Sequence, residues 1–147
     1  MKKEIMEFYE KFDLKDLTII RTKHWTWSLR PHQVTLGSGV LSLNRECSSY
    51  SDLSLEEHCD LGNMIKIIEN TLSFNFKYEV MNYLMLMLVD SQVHYHVIPR
   101  YKASIKFGAD TWVDQYWPKP PVFTNEVTPK DKLLNIVKLL KDNLIKE

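Results

Sequence analysis

Apolar residues along this chain change their period several times, and each change marks an element. Over residues 3–12, Ile5, Phe8, Tyr9 and Phe12 recur at helical spacing, which predicts a short amphipathic helix. Residues 17–21 and 24–30 read as strands. In the second, Trp25, Trp27 and Leu29 alternate with His24, Thr26 and Ser28, the period of a strand with one buried face. Pro31 ends it. The bend Leu36-Gly37-Ser38-Gly39 leads into a third strand over residues 40–44. Ser54 and Glu57 form a capping box ahead of an apolar stripe at Leu55, Cys59, Gly62, Ile65, Ile68 and Leu72. This predicts a central helix ending near Ser73.

Residues 82–89 and 92–101 read as two further strands, and the Asp90-Ser91 turn between them demands an antiparallel pair. Leu84, Met85, Leu86, Met87 and Leu88 are apolar on both faces, which predicts an internal strand. From Lys102 to Val127 the pattern dissolves into a Trp- and Pro-rich loop, read as functional or packed as a flap. Thr128-Pro129 opens a last helix over about residues 128–146, with Leu133, Leu134, Ile136, Val137, Leu140 and Leu144 on its apolar face. Antiparallel hairpins without alternating βαβ units predict an α+β fold. Its antiparallel sheet has about five strands, with the central helix against one face.

A chain of 147 residues is one ordinary domain, read here as 1–147. Its 19 basic and 19 acidic residues cancel at a pI near 7.0, which argues against DNA or an anionic membrane as the main partner. Charges within residues 1–7 break any apolar run, so no signal peptide is expected, and residues 83–89 are too few to span a bilayer. Cys47 and Cys59 lack Cys-x-x-Cys spacing. They read as free thiols in a reducing cytosol, each a small core filler.

The informative segment is residues 90–101. On a strand, Gln92, His94, His96 and Ile98 share one face while Val93, Tyr95 and Val97 share the other. The first set aligns two imidazoles with a carboxamide. Three uses of the pair stay open: a solvated sheet face, a metal site, or nucleophilic and acid–base chemistry on a phosphoryl group. His-x-His suits zinc or iron, but a third ligand would have to come from elsewhere, and His24, His32 and His58 lie in no ligand motif. Two neutral imidazoles supply a nitrogen nucleophile and hydrogen-bond donors near pH 7. Periodicity does not choose among these.

Val93-His94-Tyr95-His96-Val97-Ile98-Pro99-Arg100 resembles the signature of the histidine-triad (HIT) superfamily of nucleotide-binding hydrolases and transferases. That signature is His-φ-His-φ-His-φ-φ, with φ apolar, frequently followed by Pro-Arg. The order of elements agrees, and Trp117-Pro118 resembles the Trp-Pro-Pro tail of one branch. The resemblance covers a core of about residues 17–121 and leaves the C-terminal helix as an addition. It implies a HIT-like nucleotide phosphohydrolase or nucleotidyl transferase in which His94 attacks an α-phosphate to form a nucleotidyl-histidine. His96 would assist the leaving group or steady phosphoryl oxygens. A backbone carbonyl would have to hold the remote His94 nitrogen to fix its tautomer. The resemblance further implies a nucleotide or dinucleotide ligand and a homodimer, while the cysteines and the charged start point to a cytoplasmic protein. No metal or other cofactor is required, though magnesium could accompany a polyphosphate substrate.

Three other residues are candidates for nucleotide contact, each with a structural alternative. Asn82 is placed to touch phosphate or ribose, or is a polar strand end. Arg100 neutralises a phosphate or is a solvated charge. Trp117 stacks on a base or packs. Three departures from the family pattern stand out. Gln92 occupies the first triad position, and Gly39 aligns with a fourth family histidine, with His32 nearby but out of register. Leu88-Val89-Asp90-Ser91 replaces the glycine-rich loop before the triad. The alternative reading is therefore a nucleotide-binding protein without turnover.

Overall fold

The computed structural model describes residues 3–146; the first two positions of the expected charged start lie outside the described residues. In chain order the elements are α1 (Lys3–Lys11), α2 (Leu14–Leu17), β1 (Thr18–Arg21), β2 (Trp25–Leu29), β3 (Gly39–Leu43), a 3-10 turn (Tyr50–Asp52) and α3 (Leu55–Phe76). There follow β4 (Val80–Leu84), β5 (His94–Arg100), β6 (Ile105–Phe107), β7 (Asp110–Trp112) and α4 (Lys130–Asp142). Five strands form one sheet in the order β1-β2-β3-β5-β4, with every neighbouring pair antiparallel. The architecture is α+β.

The two faces of the sheet have different roles. Trp25, Trp27, Leu29, Leu41, Leu43, Val93 and Val97 meet α3, whose Met64, Ile68 and Leu72 are fully buried against them. Each such side chain contributes roughly 1.5–3 kcal/mol of transfer free energy. From α4, Leu133, Ile136, Val137 and Leu140 enter the same core. Ser54 caps α3 as the sequence predicts: its hydroxyl accepts from Glu57 N, and the Glu57 carboxylate accepts from Ser54 N. Arg45, bonded to Glu57 through both carboxylate oxygens, holds that carboxyl down at about 2.

Several expectations need correction. The buried residues of α3 are Glu57, Leu61, Met64, Ile67, Ile68, Thr71, Leu72 and Phe76, while Leu55, Cys59 and Gly62 are exposed, so only Cys47 is a core filler. The helix runs past Ser73 to Phe76 and stops where Lys77 turns left-handed at φ 53°. The strand read at 82–89 is Val80–Leu84, and it lies at the sheet edge. Pairing with β5 ends at Leu84↔His96, so residues 85–93 form a connecting loop in place of the tight Asp90-Ser91 turn. Leu88 and Val89 are more than four-fifths exposed there. The apolar run thus belongs to a loop rim, which periodicity alone does not separate from a strand. The supposed loop after Lys102 also carries a small hairpin, β6–β7.

Candidate active site

The second face of the sheet carries the histidines. Antiparallel partners share a face, so the pairs Ser42↔His94, Val40↔His96 and Leu84↔His96 place Val40, Ser42 and Leu84 beside the two rings. Helix α1 lies across this face. Its Phe8 ring is 5.0 Å from His94, and Phe12 is 6.0 Å from His94 and 6.2 Å from His96. The helix is tied down by Ile5 N donating to Glu46 Oε1, by the Tyr9 hydroxyl donating to Asn44 O, and by a 2.7 Å Lys11–Asp90 ion pair. His94 and His96 are therefore only 2% and 8% exposed.

Burial on the helix side leaves both rings in the wall of a cavity of about 400 Å³. Lys11 at the end of α1 and Phe12 just after it, Arg30 and His32 after β2, the 86–90 loop and the 123–127 segment complete it. Phe123 stacks on the Arg30 guanidinium at 4.7 Å and stands 5.1 Å from His96. Nothing in the local sequence flagged Arg30, Lys11 or Phe123. They come from the three segments that cross the strand ends, and only the fold brings them together.

The ring nitrogens are fixed by their partners. His94 Nδ1 bonds to Gln92 O, which accepts, so Nδ1 carries the hydrogen and Nε2 keeps its lone pair. His96 Nδ1 accepts from Arg30 Nε at 3.3 Å, so the proton of a neutral His96 sits on Nε2. Burial lowers the His94 pKa, against the bond to Gln92 O and the charge of Asp90, with Lys11 and Arg30 adding to the fall. Burial, then His94, Arg30 and Lys11, push His96 down to about 3. Both rings are neutral at pH 7. One presents a nucleophilic nitrogen and the other a donor.

Gln92 has a different surrounding. Its Oε1 accepts from Cys47 N, and its Nε2 donates to Leu43 O and Arg45 O, so the buried carboxamide is fully bonded to the chain leaving β3. Its backbone carbonyl serves His94, while its side chain is absent from the cavity wall. Gly39 does not stand where a fourth histidine would reach the pair. It lies on the α3 face of β3, and a Cβ there would sit 2.8 Å from both Ser28 O and Trp27 Nε1. Asn82, Arg100 and Trp117 come together elsewhere. They line a separate cavity of about 530 Å³ between β4 and residues 117–121. Arg100 there makes a buried bidentate pair with Asp114 and donates to Asn82 Oδ1. Among the described residues no group of three or more His, Cys, Asp or Glu could hold a metal ion. No helix among them is long and apolar enough to cross a membrane.

A five-stranded antiparallel sheet with a helix on one face and a His-x-His strand on the other defines the histidine-triad fold, and this chain has it. A histidine triad (HIT) protein from Sinorhizobium meliloti superposes over 94% of both chains with a TM-score of 0.72 at 19% identity. A hypothetical histidine triad nucleotide-binding protein of Sulfolobus tokodaii covers 92% of this chain and 87% of its own, with a TM-score of 0.68 and 14% identity. The diadenosine triphosphate hydrolase of Plasmodium falciparum, solved with cyclomarin A, covers 95% of each chain with a TM-score of 0.66 at 15% identity. No protein-family model and no curated protein matches the sequence.

Proposed function

We propose that this chain is a HIT-type enzyme that binds a nucleotide and cleaves the bond to its α-phosphorus through His94. One observation carries the reading: a neutral imidazole, tied at Nδ1 to a backbone carbonyl, stands in the wall of a cavity that also holds Arg30 and Lys11. The His94 Nε2 lone pair forms the N–P bond as the bond to the leaving group breaks, its electron pair departing with that group. Gln92 O steadies the positive charge that develops on the ring. Water then attacks the phosphorus, the N–P pair returns to Nε2, and the water proton passes to solvent. His96, through Nε2–H, donates to a phosphoryl oxygen. Magnesium would enter as the counter-ion of a polyphosphate substrate. A homodimer belongs to the same reading, since β4 has β5 as its one sheet neighbour and offers an open edge.

A second reading, nucleotide binding without turnover, is favoured by the Gln92 carboxamide, whose bonds to backbone leave it no role in moving a proton. Intact-mass analysis separates the two after brief mixing with a dinucleoside polyphosphate and a denaturing quench at alkaline pH. The enzyme shows a nucleotidyl adduct that disappears in His94→Ala. Tight binding with neither adduct nor product identifies the binding protein.

A further inference from the structure

Arg30 belongs to no motif, yet its side chain is held from three directions in the cavity. Its Nε donates to His96 Nδ1 at 3.3 Å, its Nη1 donates to His32 O at 3.1 Å, and its plane lies against Phe123. None of these partners carries a negative charge, and among the described residues Arg30 is in no ion pair, whereas the neighbouring Lys11 is matched by Asp90. A half-buried guanidinium without a counter-charge is costly, and an anion in the cavity would offset that cost. Only part of its donor set is in use, since five N–H groups are available and the two bonds to His96 and His32 occupy two.

We infer that Arg30 is the positioning and specificity residue of this site: it holds His96 in the Nε2–H form and directs its free N–H groups to an anionic leaving group, which selects phosphoric anhydrides over P–N bonds. This rests on the reading of His94 as nucleophile. The selection follows from where the proton must go. When a P–N bond breaks, the leaving amine must collect a proton along with the electron pair. The proton an imidazolium would give is missing, because His96 Nδ1 is already filled by Arg30. When a P–O–P bond breaks, the phosphate leaves with the electron pair and needs no proton. Its new charge falls beside Arg30 and Lys11.

The test compares kcat/KM for diadenosine triphosphate and adenosine 5′-phosphoramidate in the wild type, Arg30→Met and Arg30→Lys. Side-chain NMR of labelled histidine then follows His96 with pH. The wild type favours the anhydride and keeps His96 neutral as the Nε2–H form down to pH 5. In Arg30→Met the anhydride rate falls about 100-fold, the scale of removing one charge-stabilising donor. The phosphoramidate rate falls by a clearly smaller factor, because both substrates lose the positioning of His96 but only the anhydride loses the contact to its leaving group. The freed Nδ1 lets His96 take up a proton closer to its ordinary range. Arg30→Lys keeps the charge and the anhydride preference while releasing Nδ1, and it carries the test if Arg30→Met does not fold. A wild type that prefers the phosphoramidate, an equal loss on both substrates, or a His96 unchanged in both variants overturns the inference. If neither substrate is turned over, the nucleophile reading falls and the selectivity with it. The His96 titration then still judges the positioning role.

Discussion

The Arg100–Asp114 pair offers the sharpest separation of a structural from a ligand-binding role. Both side chains are nearly inaccessible, 4% and 3% exposed, and two bonds of 2.7 and 3.0 Å join them. Asp114 also accepts from Tyr101 N at 3.2 Å and from Tyr116 N at 3.3 Å, so the carboxylate ties the end of β5 to the loop before the cis Trp117-Pro118 bond. Asp114→Asn removes the charge and leaves the guanidinium buried and unmatched. Breaking a buried pair this way costs roughly 3–5 kcal/mol. For a chain of this length, that corresponds to a fall in Tm of roughly 10–15 °C. Arg100→Met should cost a comparable amount, and the double variant less than the sum, because each single change strands one charge. Acid adds a second signature. Burial alone would raise the Asp114 pKa, but the bonds from Arg100 and the two backbone amides outweigh it and hold the group below the usual carboxylate range. Its contribution is therefore complete above about pH 4 and is lost as pH falls through the lower folded value, where wild type and Asp114→Asn converge. Urea and thermal unfolding, with nucleotide affinity measured alongside, decide the matter. A melt within about 2 °C of the wild type, or an Arg100→Met variant that loses nucleotide affinity while keeping its stability, refutes the reasoning.

Gln92→His restores the residue type of the signature but not its role. It removes bonds to Leu43 O, Arg45 O or Cys47 N, so it should destabilise by about 1–3 kcal/mol in denaturant titration without raising turnover. A faster enzyme would show that the position reaches the cavity. Because burial depresses both site histidines, turnover should hold steady from pH 8 to pH 6, where an ordinary imidazole begins to protonate. An acid limb centred at 6.5 in a pH–rate profile would contradict this. Stability moves in the opposite sense to an ion-paired histidine. The unfolded His96 takes up its proton near pH 6.5 while the folded one resists to about 3, so this contribution declines as pH drops across that interval.

Much of the fold was legible because its signals are local. The Trp25-Thr26-Trp27-Ser28-Leu29 alternation and the Ser54–Glu57 box each depend on a few neighbouring residues, and the strand and the cap both form there, although Thr26 and Ser28 are buried too, so β2 has no solvated face. The two-faced reading of residues 92–98 also follows from strand geometry, and Val93 and Val97 do enter the core. What was not legible depends on distant chain. Residues 85–89 have the hydropathy of an inner strand, and only the end of pairing at Leu84↔His96 makes them a loop. Arg30, Lys11 and Phe123 are unremarkable in sequence and meet the histidines through the packing of α1 and the C-terminal segment. Gln92 reads as a cavity residue by alternation, yet the chain leaving β3 captures its amide first.

A crystal structure with a non-hydrolysable dinucleoside polyphosphate bears most directly on the role of His94. The account predicts the α-phosphorus about 3–3.5 Å from His94 Nε2, the distance of a reactive approach, with the following phosphate against Arg30. Phosphates seated instead between Asn82, Arg100 and Trp117, or a histidine cavity left empty at saturating ligand, would contradict it.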